Sequence, residues 1–95
     1  MSANPGTLRR LAKLRKRLNV VQKDCGICGE RLGYRFVHGR VNWNLDHVWP
    51  RRFRHGHVGN IVLAHNRCNS AKGDRRPTGC EIIFLEVVNA RLGLQ

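Results

Sequence analysis

Apolar residues recur along this chain with two different periods, and the change of period marks out its elements. In residues 7–18, Leu8, Leu11, Leu14 and Leu18 are three and four apart, the interval that sets side chains on one face of an α-helix. Thr7 is the expected N-cap. The positions between the leucines are mostly Arg and Lys, so this predicted helix carries a narrow apolar stripe on an otherwise basic surface. Over 34–37 and 41–45 the period falls to two, which predicts two short strands turning near His38 and Gly39. Val41, Trp43 and Leu45 alternate there with Asn42, Asn44 and Asp46. That alternation puts Asp46 on the polar face, with His47 at the strand end. Residues 51–59 read as a basic, glycine-containing loop, 60–64 as another short strand, and 67–72 as a helix stopped by Gly73. Beyond Pro77, Thr78 and Glu81 have the spacing of a capping box. Cys80, Ile83, Phe84, Val87 and Val88 then follow a helical period, predicting an amphipathic packing helix over 79–92 that ends at Gly93.

Ninety-five residues fit one small domain, 1–95, in which hydrophobic burial is thin and a structural metal would add stability. The formal net charge is +12. Residues 1–24 hold seven Arg and Lys against Asp24, so +6 of that surplus lies in the first quarter of the chain. Such a balance suits a polyanionic partner, nucleic acid first and an anionic membrane surface second. No segment has the roughly 20 apolar residues a membrane-spanning helix needs. The first residues show no apolar core or small-residue cleavage site, so a cytoplasmic, reducing location is expected. In that setting cysteines read as metal ligands rather than disulfides.

Two pairs share one gap: Cys25-x-x-Cys28 and His65-x-x-Cys68. Each pair presents two ligands to one metal, and together they complete the tetrahedron of thiolate and imidazole that zinc prefers. The competing readings are a Cys25/Cys28 redox pair, which leaves Cys68 unexplained, and His65 as an ordinary strand-end histidine. Cys80 is the rival fourth ligand, but its place on the apolar stripe of the last helix reads as a buried free thiol. His38, His55 and His57 read as loop or turn residues, the last two near bound phosphates.

A second constellation carries different chemistry. Asp46 offers a hard oxygen for Mg²⁺ or Mn²⁺ and Asn69 a neutral second one, leaving coordination positions for phosphate and water. His47 titrates near neutrality and can take a proton from an attacking water. Asn60 is the candidate to hold the His47 ring through its side-chain or backbone oxygen. Lys72 and Arg75 are placed to steady a phosphate. Taken singly, each has a plain structural reading: Asp46 a strand-end cap, Asn60 and Asn69 turn and cap residues, Lys72 and Arg75 solvated charge.

The order Asp46-His47-x-x-Pro50, Asn60, Cys68-Asn69-x-x-Lys72, lying beside the two knuckles, resembles the HNH endonuclease family in its zinc-bound form over about residues 25–75. The resemblance implies an α+β fold: a ββα-metal core with zinc bridging the knuckles, flanked here by the basic and amphipathic helices. It also implies His47 as general base, Asn60 as the middle asparagine, Asn69 with Asp46 as ligands of the catalytic metal, and double-stranded DNA as substrate. His65 departs from the more usual cysteine of the second knuckle. Arg9, Arg10, Lys13 and Lys16 on the first helix, Arg51, Arg52 and Arg54 in the basic loop, and Lys72 and Arg75 are the expected nucleic-acid contacts. The alternative is a non-catalytic zinc-stabilised DNA- or RNA-binding module, and a weaker third reading is a protein-interaction zinc domain, against which the basic charge argues.

Overall fold

The structure, a computed structural model, describes residues 5–33, 36–37 and 40–93. It is a small α+β arrangement. Helix α1 (Pro5–Val21) is followed by a knuckle, a short pair β1 (Phe36–Val37) and β2 (Arg40–Val41), then β3 (Trp43–His47), a single 3-10 turn (Arg51–Phe53), β4 (Ile61–His65), α2 (Asn66–Lys72) and α3 (Gly79–Leu92). Helix α1 starts at Pro5, two residues before Thr7, so Thr7 lies inside the helix and is not its cap. Proline suits a first helical turn because its φ is preset and its missing N–H would have no partner there.

The expected hairpin is divided. Phe36↔Val41 and Val37↔Arg40 pair as β1 and β2, whereas β3 pairs antiparallel with β4 in the register Trp43↔His65 to His47↔Ile61. The turn expected at His38 and Gly39 lies outside the described residues. Strand β4, Ile-Val-Leu-Ala-His, is buried at every position. Both α1 and α3 pack against it and against each other. The core holds Leu18 from α1, Trp43 and Val48, the apolar residues of β4, and Leu85, Val88 and Leu92 from α3.

Gln22 ties α1 to β4 as a strand would. Its side-chain oxygen accepts from the Leu63 N–H at 2.7 Å and its amide donates to the Leu63 and Asp24 carbonyls, each at 2.7 Å. A buried amide with both ends bonded costs the fold little and fixes the angle at which the chain leaves the helix.

In α3 the capping box is present: the Glu81 N–H donates to the Thr78 hydroxyl at 3.2 Å and the Thr78 N–H to the Glu81 carboxylate at 3.0 Å. The inward face, however, is Glu81, Leu85, Val88 and Leu92. Cys80 is exposed and so is Ile83, which corrects the expected stripe and the expected buried thiol at Cys80. The inward phase follows a second apolar row, Leu85, Val88 and Leu92, about one position on from the expected stripe, and Glu81 joins it with its charge met by Arg75 (Nη1 and Nη2 on its two oxygens at 2.9 and 2.8 Å).

Candidate metal centre and cleft

The zinc constellation assembles. The ligand atoms of Cys25, Cys28, His65 and Cys68 all lie within 4.8 Å of one another, and Cys80 is not among them. His65 Nδ1 is 3.4 Å from Cys28 Sγ and 3.9 Å from Cys68 Sγ. Bond lengths of about 2.3 Å to sulfur and 2.0–2.1 Å to nitrogen give a tetrahedron with sulfur–nitrogen edges of about 3.6 Å, midway between the two. His65 Nε2 lies 3.0 Å from the Arg31 carbonyl, which can only accept; the proton therefore sits on Nε2 and the Nδ1 lone pair faces the sulfurs. The donor set fits zinc on chemistry as well as spacing.

The local sequence explains the knuckle. Cys25 Sγ accepts the N–H groups of Ile27 and His65, both at 3.4 Å, and Cys28 Sγ accepts that of Glu30 at 3.4 Å. Burial pushes the Cys25 thiol up, but hydrogen bonds from the backbone of Cys28, His65 and Ile27 bring it net below its ordinary value. Without a cation, burial and the crowding of Cys28 and Cys25 push Cys68 up to about 11, so metal binding must displace its proton. Gly26 is required by close approach: a Cβ there would stand 2.6 Å from Val62 Cγ2, while the Gly26 N–H donates to the Leu63 carbonyl at 2.9 Å.

Around the other constellation, β3 and α2 form an open cleft of about 400 Å³ whose walls include Asp46, His47, Asn69, Arg51 and Arg52. Asp46, His47 and Asn69 are thus brought together as expected. Asn69 Nδ2 donates to the Leu45 carbonyl at 3.2 Å, which leaves its oxygen as the end available to a cation. Asp46 corrects the alternation argument: it is 4% exposed, not on a polar face. Its charge is met by Lys72, whose Nζ donates to both carboxylate oxygens at 3.0 Å and to the carbonyls of His47 (2.8 Å) and Val48 (3.0 Å). Burial holds the Asp46 carboxyl above its ordinary value even though Lys72 draws it down. Lys72 is therefore an internal counter-ion, 5% exposed, and not a surface phosphate contact. Arg75 is half-exposed and committed to Glu81.

Asn60 does not reach His47. Its side-chain oxygen accepts from the Trp49 N–H at 2.8 Å, its amide donates to the Trp49 and Gly56 carbonyls, each at 2.9 Å, and its backbone oxygen accepts from the Val48 N–H at 2.9 Å, so these groups close the 48–60 loop. The atom facing His47 Nε2 is instead His57 Nδ1, at 2.7 Å. His57 is expected from the sequence beside phosphates rather than beside His47, because a histidine in a basic loop carries no periodic or spacing signal for such a pairing. Burial, then the neighbouring His57, Arg51 and Lys72, lower His47 to about 4, so the ring is neutral at physiological pH. Within the loop, Trp49 stacks on His55 with ring centres 4.7 Å apart and meets Phe53 edge-on.

The basic residues Arg9, Arg10, Lys13 and Lys16 of α1, and Arg51, Arg52 and Arg54 of the loop, are all exposed. Among the described residues no helix is long and apolar enough to cross a membrane.

A paired Cys/His cluster that fits zinc, beside a cleft with an Asp-His pair and an asparagine from the following helix, defines a ββα arrangement of the metal-binding type. The family model for the HNH endonuclease matches residues 25–75, more than half of the chain, and the chain belongs to that family. No curated protein matches it.

Proposed function

We propose that the chain is a metal-dependent endonuclease that hydrolyses phosphodiester bonds in double-stranded DNA. The observation that carries the reading is the single cleft shared by Asp46, His47 and Asn69, rimmed by Arg51 and Arg52. Asp46 and Asn69 supply hard oxygens suited to Mg²⁺ or Mn²⁺, and such an ion would neutralise charge at the phosphate. Lys72 competes for the same carboxylate and holds it in place. His47, neutral and at the cleft wall, takes the proton of the attacking water. Arg51 and Arg52 hold flanking phosphates, and the exposed basic face of α1 adds non-specific attraction that weakens with salt. Cys25, Cys28, His65 and Cys68 hold zinc, and thiolate ligands fit a reducing compartment such as the cytoplasm.

The test is plasmid nicking by zinc-loaded protein across divalent ions. Cleavage should require Mg²⁺ or Mn²⁺ and disappear in His47→Ala, with zinc content and DNA affinity retained. A second reading is favoured by the Asp46–Lys72 pair, which already satisfies both oxygens of the proposed ligand: a zinc-stabilised DNA- or RNA-binding module without catalysis. Salt-sensitive binding with no cleavage under any ion would decide for it.

A further inference from the structure

The hydrogen bond between the two histidine rings has two arrangements, and only one is compatible with a base at His47. The two facing nitrogens, 2.7 Å apart, cannot both carry a proton, so one donates and the other accepts. If His57 donated to His47 Nε2, His47 would carry its own proton on Nδ1 and have no lone pair left. If His47 donates, its Nδ1 is free. We propose that His57 is a positioning residue for cleavage: its Nδ1 accepts the His47 Nε2–H and fixes His47 in the tautomer whose Nδ1 takes the proton from water. The inference rests on the reading of His47 as general base.

The surroundings support the assignment. Asn60, the residue expected to hold His47, has its side-chain amide engaged with Trp49 and Gly56 and its backbone oxygen with the Val48 N–H. Asp46 and its neighbour Glu81 are matched to Lys72 and Arg75, and Asp74 to Arg52, so no carboxylate in these pairs is committed to the His47 ring. His57 is itself held: the Asn60 N–H donates to its carbonyl at 3.2 Å, the Asn60 amide grips Gly56, and Asn89 of α3 donates to the Gly59 carbonyl at 2.9 Å. The clasp that closes the loop is what sets the second ring against the first.

In the step itself, a water O–H bond breaks as the oxygen pair attacks phosphorus. The proton forms a new bond to His47 Nδ1, and the departing sugar oxygen leaves with the P–O pair. His47 is then an imidazolium with two N–H groups, and its bond to neutral His57 becomes charge-assisted, stronger than in the ground state. An interaction that strengthens along the reaction raises kcat and leaves KM alone.

The experiment compares wild type, His57→Ala and His57→Asn as zinc-loaded proteins, by nicking kinetics with Mg²⁺ and by ¹⁵N spectra of the His47 ring. His57→Ala should lower kcat by about 10- to 100-fold with KM little changed. In His57→Asn the side-chain oxygen stands where Nδ1 did, and most of that loss should return. The wild-type and Asn variants should show His47 protonated on Nε2, and the Ala variant a mixture. Zinc content and thermal unfolding identify any loss of fold. Wild-type kcat in His57→Ala, no rescue by Asn, or a wild-type proton on His47 Nδ1 would each overturn the role of His57. A wild type that cleaves nothing overturns the nuclease reading instead, and the spectra still report on the pairing.

Discussion

Replacing Lys72 by Met should destabilise the fold severely, and the structure says by how much. The Lys72 side chain is 1% exposed and that of Asp46 5%, so both charges are largely withdrawn from water. Lys72→Met keeps the volume of the side chain but leaves a buried carboxylate unpaired, a change that costs about 3–5 kcal/mol in comparable cases. The carbonyls of His47 and Val48 lose their donor as well, which places the expected loss at the upper end. Domains of this size are stable by only about 5–15 kcal/mol, so a large share of the total would go. Denaturant unfolding of the zinc-loaded protein measures the change directly. Adding Asp46→Asn removes the orphaned charge, and the double variant should recover at least about 2 kcal/mol relative to Lys72→Met alone. A loss below about 1 kcal/mol, the value of an exposed pair, or strictly additive effects in the double variant, would refute the account of Lys72 as an internal counter-ion.

Other consequences are independent of that pair. Purified protein should carry one zinc per chain by elemental analysis, and chelation should unfold it, with affinity falling at lower pH as the thiols, Cys68 above all, retain their protons. Gly26→Ala should cost about 1–3 kcal/mol in thermal or denaturant unfolding, because the new methyl meets Val62 inside β4; an unchanged stability would mean the knuckle shifts freely. Glu81 is held below its ordinary value of 4.5, chiefly by its hydrogen bonds from Arg75 and against the effect of burial. Its contribution should therefore be fully present above about pH 4.5 and be lost as pH falls through the lower folded value. An acid unfolding profile that Glu81→Gln leaves unchanged would contradict this.

Much of the site was legible because its residues come in short fixed spacings. Cys25-x-x-Cys28 and His65-x-x-Cys68 needed only a common gap, and Asn69 follows Cys68 on the same helix. The capping box at Thr78 and Glu81 was legible for the same reason. What pattern could not show was set by partners distant in sequence. Asp46 breaks the alternation of its strand because Lys72, 26 positions on, supplies the charge that lets it be buried. Helix α3 offers two overlapping apolar rows, and packing against α1 and β4 selects the one through Leu85, Val88 and Leu92. His57 meets His47 where the loop closed by Asn60 folds back onto β3, and nothing near residue 57 in the sequence announces that contact.

Helix α2 has only seven residues, and three of its side chains face three different tasks: Cys68 the zinc centre, Asn69 the cleft, Lys72 the buried carboxylate. A helix that short has no length in which to absorb an error, since one inserted residue turns everything after it by about 100°. The 48–60 loop is the opposite case: Asn60 joins its two ends directly, so residues between them can be added at small entropic expense. Variation in chain length should accordingly gather in that loop and spare α2. The same protein then has one segment open to insertion and another where the register is frozen.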